Sequence, residues 1–183
     1  VAYVRYLEVI AGKSANTAFS YYCDLRGFSR FMKRRRGLVP ADCELKDIDP
    51  KGLDAAFWAS VTKEDIYEYL YFLGSECGNK KSSTARRLAS LHGFYDYLVN
   101  QVNKLEADPT AAIHPPKQDK VLPKYLTAEQ SMDLLESTQF QSDFPERDYC
   151  MVVLFLNCGM RLAELVGMDL EDIDLENRQI RLF

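Results

Sequence analysis

The sequence predicts a mainly α-helical protein built as two domains. Three observations carry that reading. Apolar residues recur at every third or fourth position in successive stretches of the first hundred residues. Helix-start signatures precede several of those stretches. A proline- and lysine-rich stretch containing Pro109, Pro115, Pro116 and Pro123 then interrupts the helical pattern, as a boundary with an extended connection would. With 47 % apolar and 27 % charged residues over 183 positions, the composition is that of a globular chain and excludes a disordered or collagen-like one. No window holds 18 uncharged apolar residues, so no membrane span is expected.

Taken in order, residues 1–11 place Val4, Leu7 and Ile10 on one face, as at the end of an amphipathic helix that Gly12 stops. Ser14 caps a second helix whose apolar face holds Phe19, Tyr22, Leu25, Phe28 and Met32. Lys33-Arg34-Arg35-Arg36-Gly37 closes it, and cations suit a helix C-terminus. Residues 37–61 read as an acidic loop in which Leu53 to Trp58 form a short turn of helix, tucking Phe57 and Trp58 onto the core. Thr62 to Asp65 cap a third helix through Ile66, Tyr69, Leu70 and Leu73.

Ser82-Ser83-Thr84 opens a fourth helix with an apolar stripe of Leu88, Leu91, Phe94, Tyr95, Leu98 and Val102. At about 100° per residue, Ser82, Ser83, Arg86, Ser90, Gly93 and Tyr97 fall on the opposite side. That face is small, polar and basic, and small side chains let a helix approach a phosphate wall or enter a major groove.

After the proline-rich stretch, Thr127-Ala128-Glu129-Gln130 is a capping box for a helix to about Thr138. Glu146-Arg147-Asp148 opens the next, whose run from Tyr149 to Leu156 is apolar all round and is expected to be a central helix. Gly159 breaks it. Met160 to Val166 reads as a short helix ended by Gly167, and Ile180 to Phe183 as a strand.

Charge is distributed unevenly. The net value of −4 hides a block between residues 26 and 36 with six basic residues and no acid, and a second basic excess over residues 80–124. The sign of a patch decides what a surface attracts. The five cysteines (Cys23, Cys43, Cys77, Cys150 and Cys158) include no C-x-x-C pair, so neither a disulfide framework nor a zinc site is expected. Cys150 and Cys158 read as small core residues, and a reducing cytoplasm fits the set.

Asn157 to Leu165 carries the most chemical information. Arg161 stands among Met160, Leu162, Leu165 and Val166, with Glu164 three residues on and on the same helix face. Such an arginine is either internally paired, as a salt bridge capping a short helix, or held by Glu164 and presented to a phosphate, which its planar fork suits.

The stretch Glu146-Arg147-Asp148, Leu154-Phe155-Leu156-Asn157-Cys158-Gly159-Met160-Arg161-Leu162-Ala163-Glu164-Leu165 and Asp172-Ile173-Asp174 resembles the first catalytic box of the tyrosine recombinases, the phage-integrase and Xer family. That box reads Arg-Asp, an apolar helix, Thr-Gly-Leu-Arg-hydrophobic-Ser-Glu-Leu and then Asp-Ile-Asp. Cys158 replaces its Thr, Met160 its Leu and Ala163 its Ser. Leu122 to Thr127 resembles the family's linker. Asn16-Thr17 before a Tyr-rich helix, and Arg86-Arg87-Leu88-Ala89-Ser90-Leu91, resemble its N-terminal domain, with His92 where relatives carry Arg.

The resemblance implies a SAM-like four-helix core-binding domain over residues 1–106, a linker over 107–126, and the truncated, mostly helical start of a catalytic domain over 127–183. It implies a partner, double-stranded DNA, and a reaction in which a tyrosine attacks a scissile phosphate to give a 3′-phosphotyrosyl link. No metal or other cofactor is expected, and no ATP is needed because the covalent intermediate conserves the bond energy. Arg161 matches the first catalytic arginine and Glu164 the acid that orients it. Lys81, Ser83, Thr84, Arg86 and Arg87 are expected to face DNA from the fourth helix, and Lys117, Lys120 and Lys124 to follow the backbone from the linker. Full-length relatives assemble as tetramers on paired sites.

The rest of the catalytic set is not found. None of the 11 tyrosines follows Arg161, and His114-Pro115-Pro116-Lys117 precedes it, so neither supplies the missing groups. The chain starts without Met and reads as a fragment, expected to bind DNA without cutting it. The other readings are a non-catalytic DNA-binding protein of the same architecture and a helical interaction domain for which the basic linker is incidental.

Overall fold

A computed structural model describes residues 2–40, 42–115 and 122–182. The chain divides into two compact units, Val1–Lys120 and Val121–Phe183. Both are dominated by helices, as the periodicity predicts.

The first unit holds α1 (Ala2–Val9), α2 (Ala15–Arg35), a short α3 (Ala55–Ala59), α4 (Lys63–Ser75) and α5 (Lys81–Asp96), the last running on into a π-helical turn over Tyr97–Gln101. Local chemistry sets most of the starts. The Ser14 hydroxyl accepts the Thr17 backbone N–H at 3.3 Å. Thr62 and Asp65 form a reciprocal capping box at the head of α4. α5 begins at Lys81, one residue ahead of the expected start, and its N-cap residue Lys80 makes no side-chain cap.

The core gathers Phe28, Phe31 and Met32 of α2, Ile66, Tyr69, Phe72 and Leu73 of α4, and Leu88, Leu91 and Tyr95 of α5. Phe57 and Trp58 pack against it from α3, as the sequence predicts. The α2 stripe is only partly right. Its C-terminal half is buried, but Phe19 and Tyr22 are exposed and line an open groove against Val4, Arg5 and Glu8 of α1. From the N-terminal half Ala18 is buried, in a second, smaller cluster with Tyr3 and Leu7 of α1.

The polar face of α5 also departs from expectation. Ser90 is fully buried, and the Tyr97 ring meets Tyr3 and Tyr6 of α1 with centroids 5.1 and 4.8 Å away. A Cβ on Gly93 would lie 2.8 Å from the Tyr3 hydroxyl. Small residues on this face admit α1 and α2 at close range, so most of it is a helix–helix seam.

The basic block at the end of α2 is an anchor for the loop that follows it. The Arg30 guanidinium donates to the Ile48 carbonyl at 2.8 Å, and the Lys33 ammonium to the carbonyls of Asp49 and Lys51 at 2.8 and 2.5 Å. Ile48 is buried beneath these contacts. Arg35 and Arg36 both reach Asp65, at 3.2 and 3.1 Å. Burial alone would push the Asp65 carboxyl up, but the Thr62 N–H and then the two guanidinium groups outweigh it and hold it below its ordinary value.

The second unit has α6 (Ala128–Gln141), α7 (Pro145–Cys158), α8 (Leu162–Val166) and a two-stranded antiparallel ribbon, β1 (Ile173–Asp174) with β2 (Gln179–Ile180), in which Ile173 faces Ile180. The Thr127–Gln130 capping box forms as the sequence predicts. The strand expected from Ile180 onward is instead Gln179–Ile180. Cys150 and Cys158 are exposed, contrary to the core role expected of them. The apolar run of α7 is half-buried from Met151 to Phe155, and among the described residues the helix packs chiefly on α6. Among the described residues no helix is long and apolar enough to cross a membrane.

Candidate phosphate-binding arginines and nucleic-acid interface

Arg161 is placed by a sharp exit from α7. Gly159 takes a left-handed conformation (φ 62°), in which a side chain would be strained. Met160 then buries its side chain, and Arg161 sits in extended backbone at the head of α8. Glu164 folds back onto it. One carboxylate oxygen accepts the Arg161 backbone N–H at 2.7 Å and the other accepts Nη1 at 2.7 Å. The backbone N–H first, and the guanidinium after it, hold the Glu164 carboxyl below its ordinary value.

The Arg161 side chain is 84 % exposed and that of Glu164 18 %. The pair is internal, as one reading of the spacing has it, and the arginine side chain is open to solvent. A guanidinium fixed on one edge and free on the other suits a phosphate oxygen.

The α5 residues are divided in their roles. Arg86 directs its fork inward at Asp24 in the middle of α2: Nη2 donates to Oδ1 at 2.9 Å and Nη1 to Oδ2. The Ser90 hydroxyl adds a bond to Oδ2 at 2.6 Å, and Arg87 Nε lies 3.8 Å from Oδ1. The Asp24 side chain is 5 % exposed, while that of Arg86 remains 48 % exposed. Arg87 Nε is buried without a hydrogen-bond partner among the described residues. Thr84 is buried and its hydroxyl turns to the Lys80 carbonyl at 3.4 Å. Ser83 is half-buried and Lys81 exposed, both in the first turn of α5.

Lys124 is exposed in the connection, and Lys117 and Lys120 lie outside the described residues. The start of the expected linker is folded: Thr110 and Ile113 are buried, and His92 of α5 bonds Thr110 Oγ1 through Nδ1 at 2.8 Å and the Ile113 carbonyl through Nε2 at 3.1 Å.

Sequence reasoning missed Asp24. Its available signal was a lone acid, between Cys23 and Leu25, inside a helix whose neighbouring turns are apolar.

Residues 1–102 match the family model described as phage integrase, N-terminal SAM-like domain, and residues 124–182 match the phage integrase family. Tyrosine recombinase XerC of Caldanaerobacter subterraneus subsp. tengcongensis is 40 % identical over 171 residues, covering 93 % of this chain and 48 % of that protein. Tyrosine recombinase XerD of Halalkalibacterium halodurans is 33 % identical over 180 residues, covering 98 % and 54 %. The chain spans about half the length of the curated relatives it matches. In fold it is similar to the Tn1549 transposon integrase, solved with a circular intermediate DNA, at a TM-score of 0.55 and 20 % identity over 84 % of this chain and 50 % of that one.

Proposed function

Since the chain belongs to the phage integrase family, we propose that it is part of a site-specific DNA recombinase, which cuts and rejoins duplex DNA through a 3′-phosphotyrosyl intermediate. The observation that carries this is the Arg161–Glu164 arrangement, which occurs within the stretch that matches the family's catalytic domain. In that role Arg161 stabilises charge developing on the non-bridging oxygens of the scissile phosphate. Glu164 acts through Arg161 by holding its backbone and guanidinium in one orientation.

The first unit supplies DNA affinity from the N-terminal end of α5, where Lys81, Ser83 and Arg86 reach the surface. Thr84 and Arg87 support that surface from beneath. Lys124, with Lys117 and Lys120, follows the backbone from the connection. The domain plan is core-binding residues 1–106, a connection over 107–126, whose first part is held on α5, and the catalytic part from 127. The full-length protein works in the cytoplasm as a tetramer on paired sites.

The test is binding of this chain to duplex DNA across a salt series. Affinity should fall linearly on a log–log plot as salt rises, because lysine and arginine contacts release counterions from phosphates. No binding at low salt, or binding indifferent to salt, removes the reading.

A further inference from the structure

The Asp24 cluster sits in the first unit, far along the sequence from the arginine that resembles the family's catalytic one. Arg86 donates to this buried carboxylate through two N–H groups and Ser90 through its hydroxyl, while Arg87 Nε lies 3.8 Å away without a hydrogen bond. Arg86 uses two of its five N–H groups on Asp24, and the other three have no acceptor among the described residues. Its side chain is half exposed.

A buried aspartate could serve only to join α2 and α5. Two features go further. The guanidinium is docked through both Nη atoms, which fixes its plane as well as its position. The pair also carries no net charge, so it adds little to long-range attraction. What it offers is a fork already ordered for a short-range contact.

We propose that Asp24 is the positioning residue for Arg86, locking its guanidinium so that the free edge meets a phosphate of the DNA backbone. This rests on the DNA-binding reading above. Ser90 completes the device: its hydroxyl holds Oδ2 of the same carboxylate from the α5 side. Ordering the arginine before binding removes an entropy cost that a free surface arginine meets on contact.

The experiment is fluorescence anisotropy of the chain on a short duplex over a salt series, with a thermal melt of every variant. Asp24→Asn keeps the shape and one acceptor oxygen and removes the negative charge. On charge alone it tightens DNA binding, since a carboxylate leaves the neighbourhood of the phosphates. Positioning gives the opposite sign: binding weakens roughly three- to tenfold at every salt. In an Arg86→Gln background, where no fork remains to be held, Asp24→Asn no longer weakens binding. A role confined to joining the helices would change the melting temperature without that dependence on Arg86.

Equal or tighter binding by folded Asp24→Asn overturns the proposal, as does an undiminished loss in the Arg86→Gln background. If Asp24→Asn melts below the assay temperature, Ser90→Ala decides, because it removes one tether without altering charge. Weaker binding by folded Ser90→Ala supports positioning, and unchanged binding overturns it. Failure of the unaltered chain to bind duplex sinks the DNA reading and the proposal together. If the unaltered chain binds and Asp24→Asn binds more tightly, the DNA reading stands and only the positioning role falls.

Discussion

Each unit contains an arginine held by a carboxylate, and the two pairs are built in opposite ways. Arg161 and Glu164 lie three residues apart, on one turn, with the arginine almost wholly exposed. Arg86 and Asp24 are 62 residues apart, and their carboxylate is buried between two helices. The local pair costs the fold little, because its geometry follows from the backbone of α8 alone. The distant pair is part of the packing of α2 on α5, so its arginine cannot be removed without leaving a charge in the interior. The same chemistry is therefore separable from stability in one unit and entangled with it in the other.

The largest expected effect tests the separable side. On the proposed function, Arg161→Ala in the full-length protein should lower strand cleavage by at least about a hundredfold, the scale of losing one preorganised donor to a developing negative charge. DNA affinity and melting temperature should stay near those of the unaltered protein. Near-normal cleavage on a suicide substrate would remove Arg161 from the reaction.

Arg86→Ala should do the reverse. It leaves the buried Asp24 carboxylate with only the Ser90 hydroxyl and the more distant Arg87, and a loss of roughly 2 kcal/mol is expected once the half-exposed arginine is discounted for solvent screening. Urea denaturation measures it, and an unchanged midpoint would show that Asp24 finds another partner.

Gly93→Ala probes the seam on the same face of α5. The added methyl would meet the Tyr3 hydroxyl at 2.8 Å. That hydroxyl is buried and has no hydrogen-bond partner among the described residues. A loss of about 1 kcal/mol is expected, as in overpacked cores. Combining it with Tyr3→Phe should recover most of that loss, because the phenylalanine gives up the clashing oxygen. A double variant no more stable than Gly93→Ala would place the strain elsewhere.

The smallest effect concerns acid. Asp65 is held below its ordinary value of 3.8 in the folded chain. Its contribution is therefore present above that value and fades as pH falls through the lowered one. Asp65→Asn should melt lower than the unaltered chain at neutral pH, and the gap should close on acidification below about pH 4. A gap independent of pH would mean that the asparagine loses packing and not charge.

How much of this was legible in the sequence depends on how far apart the interacting groups lie. The caps at Ser14, Thr62 and Thr127 join residues three positions apart, and each forms where the pattern places it. Glu164 was legible beside Arg161 for the same reason. Asp24 was not, because nothing near it in the chain announces Arg86. The polar face of α5 was misread because small and hydroxyl-bearing residues serve equally to approach a phosphate and to let two helices close on each other. Cys150 and Cys158 were misread because an all-apolar run shows what a helix can bury and not how many of its sides are covered.

Arg30 and Lys33 of the basic block bond to backbone carbonyls, which are neutral, while Arg35 and Arg36 meet the acid Asp65. A cation satisfied by a carbonyl gives up its hydrogen bonds and keeps its charge. Those two residues therefore fasten the loop of residues 37–61 and still project their full field into solvent. Their influence on a polyanion is one of range and approach rate, felt before contact and damped by salt, and it asks for no phosphate in reach of either side chain.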